Sequence, residues 1–162
     1  MMKKFMFKAL EIAAKSGEDL PVGAVLTKDG QIVAAAHNEK EQTRDVTAHA
    51  EILAIKAAQE KFGTNLSGCE LYVTLEPCPM CAWAILESRI SKVVFGANNP
   101  LYGAFGGKID LRKLAGGKTS VFGGIEEEAC ETLLKNCFKK LREQPRRTEF
   151  SAETTNLSNN TK

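Results

Sequence analysis

The sequence predicts an α/β protein, a three-layer α/β/α sandwich around a mixed five-stranded sheet. Two observations predict it. The run "VGAVLTKDGQIVAAAHN" places an Asp29-Gly30 pair between two short apolar stretches, a strong hairpin signal. Further on, two buried-strand runs, "CELYVTL" and "ISKVVFGA", alternate with helical stretches. A hairpin makes the first two strands antiparallel, and helical crossovers make the later ones parallel.

Each element has its own signal. Phe7, Leu10 and Ala14 stand at helical spacing in a first helix that ends near Ser16-Gly17. Lys8, Glu11 and Lys15 interrupt that segment, so it does not read as a signal peptide, and no run reaches membrane-span length. The expectation is an amphipathic first helix of a cytoplasmic protein. A second helix is expected from Thr47, a good N-cap residue, to Gly63. Cys69 to Leu75 is β-branched and apolar, and Pro79 suits the first turn of a helix running to about Ser88. "TSVFGG" reads as a short last strand. Glu126 to Arg142 is a long helix, acidic at its start and basic at its end, as the macrodipole favours. Residues 1–147 therefore form one domain, and 148–162 is a polar tail with too little apolar content to fold. Of the 162 residues 43% are hydrophobic and 26% charged, which is ordinary for a globular chain. The net charge of +2 permits a nucleic-acid partner without arguing for one.

The chain has only two histidines, and one of them opens the second helix as "TAHAEI". Of five cysteines, Cys78 and Cys81 stand in "LEPCPMC", about thirty residues later. An odd number of cysteines without a signal peptide argues for thiols or a metal over disulfides. C-x-x-C puts two thiols one helical turn apart, at a helix N-terminus that favours thiolates. Two thiolates and an imidazole suit zinc. His49, Cys78 and Cys81 make three ligands, and a catalytic zinc keeps a fourth position for water. Glu51 fits as the non-ligand that takes and returns a proton. Either motif alone is weaker: H-x-E occurs on many helices, and C-x-x-C can be a redox pair. A closed structural zinc, with His37 or Cys69 as fourth ligand, is the alternative, although Cys69 reads more simply as core.

H-x-E followed by P-C-x-x-C resembles the zinc-dependent cytidine and adenosine deaminases. "PVGAVL", "TAHAEI", "LYVTLEPCPMC", "SRISKVVFGA", "GAFGGKIDL" and "LLKNCFKKLRE" resemble the branch that deaminates tRNA adenosine, and together they span most of residues 3–145. The resemblance implies a cytidine deaminase-like fold and one Zn2+ per subunit. It implies that zinc-bound hydroxide attacks a flipped adenine while Glu51 shuttles the proton, giving inosine at the wobble position of a tRNA anticodon stem-loop. It also implies a homodimer.

By the same resemblance Asn38 hydrogen-bonds the base, the Ala50 N–H orients it, and Leu20 with Pro21 forms part of the wall. From the residues alone, Asn38 reads as a turn residue and Leu20-Pro21 as ordinary packing before a strand. Relatives carry an Arg-Asp pair after "VFGA", whose acidic residue touches a ribose. Asn98-Asn99 stand here instead, and Asn99 can still hydrogen-bond a hydroxyl. Three features keep two readings each. Lys139, Lys140, Arg142, Arg146 and Arg147 are phosphate contacts or a solvated helix end. Tyr102 and Phe105 stack on splayed bases or fill the core under their loop. Trp83 is core or dimer interface. Two other functions compete: a deaminase of a free base or nucleoside, and a zinc-stabilised RNA-binding module with four protein ligands.

Overall fold

The computed structural model describes residues 1–116 and 118–144. Arg146, Arg147 and the polar tail expected over 148–162 lie outside the described residues. In chain order the elements are α1 (Met2–Ala13), β1 (Gly23–Lys28), β2 (Gln31–His37), α2 (Lys40–Thr43), α3 (Ala50–Phe62) and β3 (Cys69–Leu75). Then come α4 (Pro79–Glu87), β4 (Lys92–Ala97), α5 (Arg112–Ala115), β5 (Ser120–Phe122) and α6 (Glu127–Glu143).

One five-stranded sheet runs in the order β2-β1-β3-β4-β5. β1 pairs antiparallel with both β2 and β3, while β3–β4 and β4–β5 are parallel, giving the mixed sheet expected. Asp29 and Gly30 both have positive φ, 50° and 72°, so the hairpin turns with the twist of its strands. Strand side chains alternate between two cores. Ala24, Leu26, Leu71, Val73, Val93 and Phe95 pack against α3 and α4 through Ala54, Ile55 and Ile85. On the other face Val25, Tyr72 and Val94 meet Phe5 and Met6 of α1 and Cys130 of α6. Two helical layers thus enclose the sheet, which is the predicted sandwich.

The parallel half places the site. β3 and β4 end side by side at their C-terminal edge, and the loops leaving that edge carry Cys78 and Asn99. Ligand sites in open α/β sheets gather at such strand ends.

One boundary departs from expectation in an informative way. Thr47 does not cap α3. Its Oγ1 and its N–H both donate to Asp45 Oδ1, at 2.7 and 2.8 Å, closing a local turn. The N-cap position belongs to His49, in extended conformation, whose carbonyl accepts from Leu53 N–H at 3.0 Å. The short helices α2 and α5 have no counterpart in the sequence pattern.

Candidate active site

Two helix N-termini meet over the sheet. His49 is the N-cap of α3 and Cys78 the N-cap of α4, each extended, with Pro79 opening the second helix. An N-cap side chain leaves its helix at the end, so both point into the space between the helices. Cys81 follows on the first turn of α4 and is buried. His49 Nδ1 lies 3.7 Å from Cys78 Sγ and 3.5 Å from Cys81 Sγ, and all three atoms fall within 4.8 Å of one another. Tetrahedral zinc, with bonds of about 2.3 Å to sulfur and 2.0–2.1 Å to nitrogen, separates such ligands by about 3.6 Å. The donor set therefore fits zinc in chemistry and in spacing. Among the described residues the cluster has three members. His37 turns elsewhere, its Nδ1 3.0 Å from the Asn38 carbonyl, and Cys69 is buried in the β3 core. Neither is a fourth ligand.

Electrostatics marks the same place. The hydrogen bond from Cys81, against the opposing push of burial, brings the Cys78 thiol down to about 4. That bond and burial push Cys81 far up. His49 is raised, chiefly by its hydrogen bond with Cys78. Three donors thus share protons that a cation would displace. Glu51, on the first turn of α3, is buried at 4% exposure. Burial pushes its carboxyl up to about 7; Cys78 adds to this while His49 and Cys81 oppose it, so Glu51 borders the cluster. A buried carboxyl that titrates near neutrality can both take and give a proton.

Asn38 leaves the end of β2 beside this cluster. Its Oδ1 accepts the Ala50 N–H at 2.9 Å, and its own N–H donates to Val22 C=O at 3.1 Å. Because a backbone N–H can only donate, it fixes which way the Asn38 amide faces. The Nδ2 makes no hydrogen bond among the described residues and is not sealed from solvent. The Val22 bond draws Leu20 and the buried Pro21 beside Asn38, and Leu20 packs on the core that holds Ala50 and Ala54. Asp19, also buried, anchors this segment by accepting the N–H groups of Glu41 and Gln42 at 2.8 and 3.2 Å.

Comparison with known proteins agrees with this geometry. Residues 1–97 match the family model of the cytidine and deoxycytidylate deaminase zinc-binding region. The chain belongs to this deaminase family. It is a zinc-dependent hydrolytic deaminase. The tRNA-specific adenosine deaminase of Aquifex aeolicus is 42% identical over 160 residues, covering 88% of this chain and 97% of that protein. A solved tRNA:A34 deaminase structure is 40% identical with a TM-score of 0.75, covering 81% of this chain and 99% of the other. A guanine deaminase from Nitrosomonas europaea is 28% identical with a TM-score of 0.72, covering 83% of each chain.

In this deaminase the sequence pattern does not reveal Glu76. Its carboxylate is 1% exposed and accepts three backbone N–H groups: Asn99 at 3.0 Å, Phe105 at 3.1 Å and Gly107 at 2.8 Å. The trace it leaves is glycine. A Cβ at Gly103 or Gly107 would collide with Glu76 Oε2. Asn99 sits in the loop after β4, where its Oδ1 accepts Tyr102 N–H at 3.1 Å in a local turn. Asn98 turns away and donates to Glu127 Oε1 at 2.6 Å, tying the end of β4 to α6. Phe105 is core at 4% exposure, whereas Tyr102 is 66% exposed and free to stack. Trp83 is 47% exposed, so within one chain it is not core.

Proposed function

We propose that this deaminase converts the wobble adenosine of a tRNA anticodon stem-loop to inosine. What carries the reading is the match to a solved tRNA:A34 deaminase at 40% identity over 99% of that chain, joined to a three-donor zinc cluster bordered by Glu51. Adenosine and water give inosine and ammonia, in the cytoplasm where tRNA is used. Among the described residues no helix is long and apolar enough to cross a membrane.

Each residue has one task. His49, Cys78 and Cys81 hold one zinc per chain. When bound, zinc supplies Lewis-acid activation of water at neutral pH. Glu51 takes the proton released as water adds at C6 and hands it to the departing amine. Asn38 Nδ2 donates to an acceptor on the base edge. Ala50 orients the base through Asn38, since its N–H is what sets that amide. Leu20 and Pro21 close one face of the base. An edge grip plus an apolar wall is what an enzyme needs to hold a base outside its stack. Asn99 meets a ribose of the loop through its Nδ2, its Oδ1 being engaged with Tyr102.

The RNA lies across a homodimer. Met80 and Trp83 stand exposed on α4 at 37% and 47%, and Leu101 and Tyr102 are exposed on the loop joined to the start of α4 by Ala104 N–H to Pro77 C=O. Such apolar surface favours a protein partner. Lys139, Lys140 and Arg142 at the end of α6 face the RNA phosphates.

The second reading, deamination of a free base, has the guanine deaminase likeness behind it, at a lower identity of 28%. The test offers the purified protein an anticodon stem-loop with adenosine at the wobble position, and in parallel adenosine, cytidine, cytosine and guanine. Inosine recovered from the stem-loop alone is expected. Ammonia from a free base with the stem-loop intact would transfer the site to the second reading.

A further inference from the structure

Glu76 ends the β3 side of the site one residue before Pro77-Cys78, yet its carboxylate faces away from the metal ligands' chemistry and into the loop after β4. No lysine, arginine or histidine pairs with it among the described residues. Its partners are three main-chain N–H groups from residues 99–107. Oε1 takes Phe105 and Gly107, and Oε2 takes Asn99. The loop closes around it: Gly103 N–H bonds to Asn99 C=O at 2.7 Å, and the two glycines leave no room for a Cβ beside Oε2. A fully buried carboxylate satisfied only by a loop's backbone is a template for that loop.

We propose that Glu76 is a positioning residue for substrate binding, setting through its Oε2 the place of Asn99, and so the ribose contact. This inference rests on the reading of Asn99 given above. Oε1 fixes the distal part of the loop and Oε2 fixes its proximal part, so the two oxygens have separable roles. Glu76→Gln separates them. The amide oxygen keeps Phe105 and Gly107, because the opposite orientation would break two bonds instead of one. The Nε2 then faces the Asn99 N–H, donor against donor. The damage falls on Asn99 alone.

The experiment measures stem-loop affinity by fluorescence anisotropy and the single-turnover rate at saturating enzyme, for wild type, Glu76→Gln, Asn99→Ala and the double variant. Glu76→Gln is expected to weaken affinity about tenfold and no more than Asn99→Ala does, the effect of losing one hydrogen bond to the ribose. It should keep one zinc per chain and a saturated rate close to wild type. In the Asn99→Ala background it should weaken affinity no further. Hydrogen exchange should quicken at the Asn99 amide while Phe105 and Gly107 stay protected. If the two effects multiply, or zinc is lost, Glu76 does not act through Asn99 and the inference falls while the Asn99 reading stands. If Asn99→Ala itself leaves affinity unchanged, the ribose reading falls first and takes this inference with it. Should Glu76→Gln fail to fold, Glu76→Asp keeps the charge but draws the carboxylate back by one methylene from the loop, and should likewise weaken affinity and quicken exchange at the Asn99 amide. An unchanged affinity in that variant would overturn the proposal.

Discussion

Glu51 is the residue on which the proposed chemistry turns, and its setting makes a sharp expectation. It is buried, its carboxyl is pushed up to about 7 first by burial, and it stands two residues from His49 of the three-donor cluster. Glu51→Gln keeps shape and volume but cannot carry a proton. We expect turnover to fall by about 10²–10⁴-fold, the usual contribution of a positioned acid-base group. Zinc content should hold at one per chain, since the variant leaves all three ligands in place. Near-native turnover by inosine assay would remove Glu51 from the proton path. The His49-Cys78-Cys81 cluster was legible in the sequence because metal chemistry restricts residue type: few side chains bind zinc, and two motifs had to supply them. Glu76 was not legible, because what it binds is backbone, which has no residue signature. Asn38 was intermediate, since its partner is also a backbone N–H, and without the family it reads as a turn residue.

Among the elements, β3 and β4 form the platform beneath the site, and one charge pair fastens their starts. Glu70 and Lys92 are direct cross-strand partners, with Lys92 Nζ 2.6 Å from Oε1, while Tyr72 donates to Oε2 at 2.6 Å. Burial pushes the Glu70 carboxyl up, but the hydrogen bonds from Lys92 and Tyr72 and the Lys92 charge outweigh it, and the net direction is down. A lowered acid stabilises the fold above its unfolded value, about 4.3, and loses that contribution as pH falls through its folded value. Glu70→Gln should therefore cost roughly 1 kcal/mol at pH 7, discounted for partial exposure. The gap between wild type and variant in urea melts should narrow as pH falls below about 4.3 and close once the folded-state carboxyl is protonated. A gap that persisted undiminished in acid would mean the loss is packing and not charge. The strand directions were readable, because an Asp-Gly turn makes the first pair antiparallel and helical crossovers make the later strands parallel, whereas the order across the sheet was not. Nor was the start of α3. Thr47 is the better cap by residue type, but Asp45 holds it, and the N-cap goes to His49, which leads toward the cysteines.

Taken as a whole, the chain exposes apolar surface on one side of the site that a lone protomer leaves uncovered. Trp83 and Met80 lie on the outward face of α4, whose inward residues Cys81, Ala82 and Ile85 are buried. Leu101 is 72% exposed on the loop that Glu76 shapes. Trp is the side chain whose burial contributes most at interfaces, and the exposed Trp83 is the surface proposed above for a second copy. The sequence could place Trp83 after the cysteines but not decide between core and interface, because nine helical residues of mostly apolar type show little amphipathic contrast. We expect light scattering on the purified protein to give close to twice the 17.7 kDa of one chain. Trp83→Glu should shift that mass to a single chain, because an unpaired carboxylate at an interface centre is strongly unfavourable. Its zinc should remain, since the ligands come from one protomer. On the proposed two-protomer RNA site, its affinity for the stem-loop should drop along with the mass. A variant that is monomeric yet binds and edits the stem-loop as wild type would show that one protomer holds the whole RNA site, and that the exposed face of α4 serves something other than catalysis.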